Sequence, residues 1–397
     1  MSPDHCPAVS NHLSSSAAEL RVALVIPSLD RGGAEKQLGL LACGLLQQGI
    51  LPTVIVLTRD GPLREDLERQ GVPVRVIGKR FRVDPSSYWR LRRALQELRP
   101  DVVHTWLFAA NAYGRAAALA VGVPVILGSE RCVDRWKSAA QFAIDRYLAR
   151  RTSGLTTNSV GVRDFYAEHG VPAARFTVIP NGIPPRAERS VSRAEAAARL
   201  GIDPARKWIM AVGRLWPQKR YRDLIWAAEL LATTRQDTTF VIIGEGPQSG
   251  ELLRNRDAVS HPDHSRLVGH RDDVAELLPH ADVFWNGSEY EGQSNALIEA
   301  MQAGRPVVAT DIPGNRDLVT HGETGLLVAV GERADIARQT LRLLEDPDRA
   351  CRLGAAARQK IESEFRVDTM VAAHAELYRR LHGQVGAPTP SGVGGAP

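Results

Sequence analysis

The chain has 397 residues, which suits two α/β domains of ordinary size better than one. It is 44% hydrophobic and 24% charged, with a formal net charge of +5 and a pI near 9.2. This globular, mildly basic balance permits binding to phosphates or to an anionic membrane surface, but no nucleic-acid motif accompanies it and no run approaches the ~20 apolar residues of a membrane span.

Residues 1–19 are polar, Ser-rich and without an apolar core, so they read as a disordered leader and not as a secretory signal. Apolar runs then alternate with helical patterns, the signature of βαβ units. Strands are expected at Arg21–Pro27, Thr53–Leu57, Val74–Ile77, Val102–His104, Val125–Leu127, Gly154–Thr157 and Phe176–Ile179. Helices are expected between them at Glu35–Gln48, Gly61–Gln70, Pro85–Leu98, Ala109–Ala120 and Ser138–Arg150. The turn cluster Pro180-Asn181-Gly182-Ile183-Pro184-Pro185 breaks the periodicity and closes a first domain over 20–185. A second domain over 186–366 opens with a helix at Arg193–Leu200 and repeats the alternation from the strand Trp208–Val212 onward. A closing helix, Val367–His382, and a Gly/Pro-rich disordered tail, 383–397, complete the chain. Two Rossmann-like units facing across a cleft are the expected α/β fold, and the cleft is the expected ligand site. Cys6, Cys43, Cys132 and Cys351 are scattered and read as unpaired thiols of a reducing compartment, which makes the cytoplasm the default location.

The densest chemical signal is the run from Ser288 to Thr310. An acidic, Gly-containing loop leads into a helix whose first residues, Ser294 and Asn295, are able to cap it. The helix stops at Gly304, and Pro306 leads into the buried strand Val307–Ala309. A helix N-terminus beside a parallel strand is where α/β proteins hold phosphates, because unpaired N–H groups and the helix dipole point at the anion. Glu291 in the loop and Glu299 in the helix could each accept hydroxyl hydrogen bonds, so a nucleotide sugar fits the set; a solvated helix face is the bland reading of Glu299.

Five further clusters join this run. Gly32-Gly33-Ala34-Glu35 follows the first strand and opens the first helix, either as an ordinary tight turn or as a close approach of backbone to ligand. It is not the Gly-x-Gly-x-x-Gly of a dinucleotide site, which disfavours a dehydrogenase. Arg214 and Lys219 place two cations in one loop, both within reach of a diphosphate. Gly244-Glu245-Gly246-Pro247 is a tight turn after a strand. His104 ends a strand that points at the crevice, and Asn111, Glu130 and Arg131 follow on nearby loops. Cations from Lys79 to Arg93 interleave with Phe81, Tyr88 and Trp89, either as a solvated helix face or as a docking face for anionic lipid headgroups or a lipid-linked acceptor.

The Glu291-x7-Glu299 spacing, Gly304-Arg305-Pro306-Val307-Val308-Ala309-Thr310, Gly213-Arg214-Leu215 with Lys219, and Gly32-Gly33-Ala34-Glu35 together resemble the retaining GT-B glycosyltransferases of family 4. The likeness runs from Leu20 to about His382 and departs from the pattern at Arg220, where glycine is usual. It implies a nucleotide-sugar donor, with a uridine nucleotide expected, on Gly33, Arg214, Lys219, Gly244, Ser294, Asn295, Ala296 and Glu299. It implies His104 and Glu291 at the reacting sugar, and a glycan or lipid-linked acceptor near Gly32, Asn111, Glu130 and Arg131. It further implies retention of anomeric configuration, no metal, no cofactor beyond the co-substrate, and a cytoplasmic enzyme able to touch the inner membrane face. A nucleotide-sugar epimerase or phosphorylase on the same fold, and a non-catalytic nucleotide-binding sensor or scaffold, remain the alternatives.

Overall fold

The structure, a computed structural model, describes residues 19–81, 83–186 and 191–386. The expected leader up to residue 18 and the expected tail from residue 387 lie outside these residues, as do Arg82 and Cys6. The first sheet contains β1 (Arg21–Ser28), β2 (Leu51–Arg59), β3 (Val74–Val76), β4 (Val102–Trp106), β5 (Val125–Glu130), β6 (Gly154–Thr157) and β7 (Phe176–Val178). The second contains β8 (Lys207–Val212), β9 (Thr238–Ile243), β10 (Ser265–Leu267), β11 (Val283–Asn286), β12 (Val307–Thr310) and β13 (Leu326–Val328). Strand order is β3-β2-β1-β4-β5-β6-β7 in one and β10-β9-β8-β11-β12-β13 in the other. All pairings are parallel. Helices cover both faces, so the central strands need apolar side chains on both sides. Val22–Ile26 and Trp208–Ala211 meet that demand, with no residue more than 1% exposed.

In each sheet the winding reverses beside the first strand, between β1 and β4 and between β8 and β11. Ligands of open α/β sheets lie in the crevice outside the strand C-termini at such a reversal. The Gly32-Gly33 turn follows β1, the Arg214–Lys219 loop follows β8, and the Ser288–Ser294 loop follows β11. Topology therefore gathers the sequence-separated clusters at the reversal points.

The chain crosses between the sheets twice. Ile183 N–H donates to Phe365 O at 2.8 Å and Val367 N–H to Ile183 O at 3.2 Å, so the outward and return crossings run side by side. The returning helix, Val367–Gly386, then packs on the first domain. Its Met370, Val371, Ala375 and Tyr378 share one buried cluster with Leu24, Leu38 and Trp106.

Two helices appear that the sequence reading lacks, Val160–Glu168 and Pro313–Arg316. The first is nine residues long, capped by Ser159 accepting from Gly161 N–H, and too short for a clear period between two expected strands. The second is a single turn whose start is fixed by proline. The closing helix runs to Gly386, four residues into the expected tail. Among the described residues no helix is long and apolar enough to cross a membrane.

Candidate active site between the two sheets

A cleft of about 340 Å³ opens where the two sets of strand C-termini face each other. Two helices begin on its walls. One starts at Gly33 with Gly32 as its N-cap, and the other starts at Asn295 with Ser294 as its N-cap. Neither N-cap residue caps its helix through a side chain, and at the Gly33 helix the carboxylate of Glu35 lies over Gly32. Ser294 was expected to cap its helix; instead it lies 3.1 Å from Asn286 Nδ2 and accepts its hydrogen bond. Asn295 Nδ2 donates to Gly33 O at 3.1 Å and ties the two helix starts together. A side chain at Gly33 would crowd that amide, its Cβ lying 3.2 Å from Asn295 Nδ2.

The charges pair in a definite pattern. Lys219 forms an ion pair with Glu291, which also accepts from Ser288 Oγ at 2.7 Å. Lys36, from the Gly33 helix, forms an ion pair with Glu299 of the opposite domain. Arg214 is exposed and has no carboxylate partner among the described residues. Arg131 is buried, stacks over Trp106 at 4.6 Å and donates to Asn181 Oδ1, also without a carboxylate partner among the described residues. Burial pulls its guanidinium down to about 9. Burial, Asp134 and Glu291 push the adjoining Cys132 thiol up to about 12. Cys43, Cys132 and Cys351 are all free thiols.

Residues 206–346 match the family model described as glycosyl transferases group 1, and residues 31–187 match glycosyltransferase family 4. A glycogen synthase of Mycobacterium tuberculosis is 33% identical over 291 residues, 70% of this chain and 69% of that protein. The chain belongs to the group 1 glycosyltransferases. A UDP-Gal:alpha-D-GlcNAc-diphosphoundecaprenol alpha-1,3-galactosyltransferase of Escherichia coli is 25% identical over 311 residues, 74% of this chain and 79% of that one. Anabaena HepE in complex with UDP-glucose superposes with a TM-score of 0.83 at 23% identity, over 91% of this chain and 100% of that one. The two-sheet arrangement is therefore the GT-B fold.

In this glycosyltransferase ten of the singled-out residues line the cleft: Gly32, Gly33, Arg131, Arg214, Lys219, Glu291, Ser294, Asn295, Ala296 and Glu299. Four do not. His104 sits two residues before the end of β4, with Nδ1 2.6 Å from Tyr378 Oη and Nε2 2.9 Å from Thr156 Oγ1. It is fully enclosed beside Trp106 and His374, and burial drives its imidazole well below the usual range. The returning helix supplies this cover from some 270 residues away, which no local pattern reveals. His104 is thus enclosed by packing and does not line the cleft. Asn111 and Glu130, expected beside the acceptor, instead bond to each other at 2.8 Å in a buried network with Lys137, Asp145 and Tyr166. That network anchors the loop that carries Arg131 and Cys132 into the cleft. Gly244, expected to touch the donor, packs against Gly213; its φ of +143° and the Gly213 carbonyl both exclude a side chain there.

Lys36, Gln37, Asn158 and Asn181 also line the cleft and were not singled out as site residues. Gln37 exchanges two hydrogen bonds with the Gly182 backbone, at 2.8 and 2.9 Å. Asn181 was legible only as part of a boundary turn. It bonds Arg131 and Asn158 within the first domain, and its bonds to Gln293 and Asn295 exist only once the domains meet.

Proposed function

We propose that this glycosyltransferase takes its sugar from a uridine diphosphate sugar and transfers it, with retention and without a metal, to a hydroxyl of a glycan or lipid-linked acceptor. The observation that carries the donor reading is the pair of uncapped helix starts at Gly33 and Asn295, facing one cleft that also holds Arg214 and Lys219. The diphosphate sits at the Asn295 helix start, where Arg214 offers an uncommitted fork of N–H donors and Lys219 a second cation. Glu299 takes the ribose hydroxyls and Glu291 those of the transferred sugar. Both carboxylates are held by lysines in the cleft, so the donor must exchange these ion pairs for its own hydrogen bonds.

In transfer, the bond from the anomeric carbon to the leaving phosphate oxygen breaks and a bond to the acceptor oxygen forms on the same face. The acceptor proton passes to the departing phosphate oxygen. Fixed cations and helix starts stabilise the charge on that phosphate, the task a divalent ion performs elsewhere. Activity in excess EDTA equal to that with added magnesium or manganese is expected; activity abolished by EDTA and restored by either ion contradicts the metal-free reading. A thermal-shift panel of UDP, GDP, ADP and dTDP sugars tests the donor reading itself. A rise in Tm with a UDP sugar supports it, and no rise with any member overturns it.

The acceptor side carries an apolar and basic face. Phe81, Val83 and Trp89 are 69%, 76% and 59% exposed around the start of the Pro85–Leu98 helix. Arg92 stacks over Trp89 at 5.3 Å. This face follows the C-terminal end of β3, on the cleft side of the first sheet. It fits an anionic cytoplasmic leaflet, which would bring a cytoplasmic enzyme to a lipid-linked acceptor of polysaccharide or glycolipid synthesis.

A further inference from the structure

The floor of the cleft contains two polar atoms that nothing among the described residues satisfies. Arg131 is 8% exposed and Asn158 2%, and both line the cleft. Arg131 Nη1 and Asn158 Oδ1 are buried without a hydrogen-bond partner. Leaving such groups unpaired is costly, so a native site that keeps two together calls for an explanation.

Their polarity is fixed by a chain of amides. Gly33 O can only accept, so Asn295 must present Nδ2 to it, at 3.1 Å. Asn295 Oδ1 then accepts from Asn181 Nδ2 at 2.7 Å. Asn181 Oδ1 in turn accepts from both Arg131 Nη2 and Asn158 Nδ2, the latter at 3.2 Å. What remains is the Nη1 amino group of Arg131 and the carbonyl of Asn158, on two side chains joined at Asn181 Oδ1. A hydroxyl complements that pair, because it accepts through its oxygen and donates its proton at the same time.

The cover over the pair belongs to the other domain. Gly292 lies against Arg131 O and Asn158, where an added Cβ would fall 2.5 Å from Asn158 Oδ1 and closer still to the Arg131 carbonyl. The loop that also carries Glu291 therefore covers Asn158 Oδ1, and separation of the domains would expose it.

We propose that Arg131 and Asn158 form a hydroxyl-binding subsite between the domains, with Arg131 donating to one sugar hydroxyl and Asn158 accepting its proton. The proposal rests on the nucleotide-sugar reading for what enters the cleft. The hydroxyl belongs either to the donor sugar or to the acceptor, and the two sources separate in one set of titrations.

Calorimetry on the unaltered chain, Asn158→Leu and Arg131→Met uses three probes: UDP, UDP-glucose, and glucose added to the UDP complex. A loss of about tenfold for UDP-glucose, with UDP within twofold of the unaltered chain, places the donor sugar's hydroxyl on the pair. Unchanged UDP and UDP-glucose with an about tenfold loss for glucose places the acceptor's there. Arg131→Gln, which keeps an N–H donor but no charge, should recover most of what Arg131→Met loses. All three affinities within twofold in both variants, or UDP lost as severely as UDP-glucose, overturns the subsite. If the unaltered chain binds no UDP, the donor reading fails instead, and the pair is read from glucose alone. Should Asn158→Leu unfold, Arg131→Met carries the same readout.

Discussion

Lys219 and Glu291 meet in the cleft, with side chains 17% and 10% exposed, so each partly cancels the other's charge. Arg214 has no such partner and is the cation most ready for a phosphate. A charge-assisted bond to a phosphate contributes roughly 1.5–3 kcal/mol, so Lys219→Ala and Arg214→Ala should each weaken UDP binding about tenfold or more. Calorimetry showing unchanged affinity in both removes them from the donor site. Glu299→Ala should weaken free UDP, whereas Glu291→Ala should leave UDP bound and lower turnover; equal losses of UDP affinity would contradict the separate roles. His104 illustrates why residue type and strand position do not suffice. A histidine at a strand end reads as catalytic, yet His104 is spent on Tyr378 and Thr156 beneath a helix contributed by the far end of the chain. Glu291, Arg214 and Lys219 were legible because each falls in a short loop after a strand, and Glu299 because it follows Glu291 by eight residues in the helix that this loop opens. Asn158 and Asn181 were not, because Asn158 bonds Asn181 across 23 residues of sequence and Asn181 finds Gln293 and Asn295 only in the other domain.

Among elements, the helix Val367–Gly386 carries a pH-dependent contribution to stability. It brings His374 into a fully buried position, where burial lowers the imidazole from 6.5 to about 4. The unfolded chain therefore binds a proton between these values that the folded chain refuses, and this contribution to stability is lost as pH falls from about 6.5 to about 4. Buried carboxylates oppose it: burial and Glu130 raise Asp145 to about 6, and that group favours the folded state as pH falls through the same window. The comparison that isolates the histidine is His374→Phe, whose Tm should fall less steeply than that of the unaltered chain between pH 6.5 and 4; parallel curves contradict the assignment. The Pro85–Leu98 helix and the residues before it give a second prediction. Asp84 and Glu97 already engage Arg90 and Arg93, which lessens the free charge of this face. Phe81, Trp89, Arg80 and Arg92 remain to meet a bilayer, each cation near an anionic surface contributing about 1 kcal/mol that salt removes. Co-sedimentation with anionic vesicles at low salt, lost in Arg80→Glu with Arg92→Glu, is expected; no sedimentation at any salt returns the face to solvent. Long, doubly buried strands and amphipathic helices were readable from periodicity alone. The single turn Pro313–Arg316 and the short Val160–Glu168 helix were not, since neither spans enough turns to show a period.

At the scale of the whole molecule, three ion pairs among the described residues span the cleft: Arg31–Asp272 at 2.8 Å, Arg135–Glu289 at 3.0 Å, and Lys36–Glu299. In all three the cation comes from the first domain and the carboxylate from the second. All involve partly exposed side chains, so each contributes roughly 0.2–1 kcal/mol and weakens with salt. Domain closure should share that sensitivity. Small-angle scattering on the ligand-free protein should show a larger radius of gyration at high salt than at low salt, and Lys36→Glu should reproduce the increase at low salt. A radius unchanged in both cases removes the pairs from any role in closure. The two-sheet architecture follows from alternation along the chain, but the meeting of the sheets, and hence these pairs, depends on side chains more than 100 residues apart. The central claim is that this cleft seats a nucleotide sugar on the Asn295 helix start. A crystal structure with UDP-glucose tests it most directly. The diphosphate should lie within hydrogen-bonding distance of the first N–H groups of that helix and of Arg214 or Lys219, with the ribose on Glu299 and Lys36 displaced from it. A nucleotide bound elsewhere, or seated with the Lys36–Glu299 pair intact and the helix start empty, contradicts it.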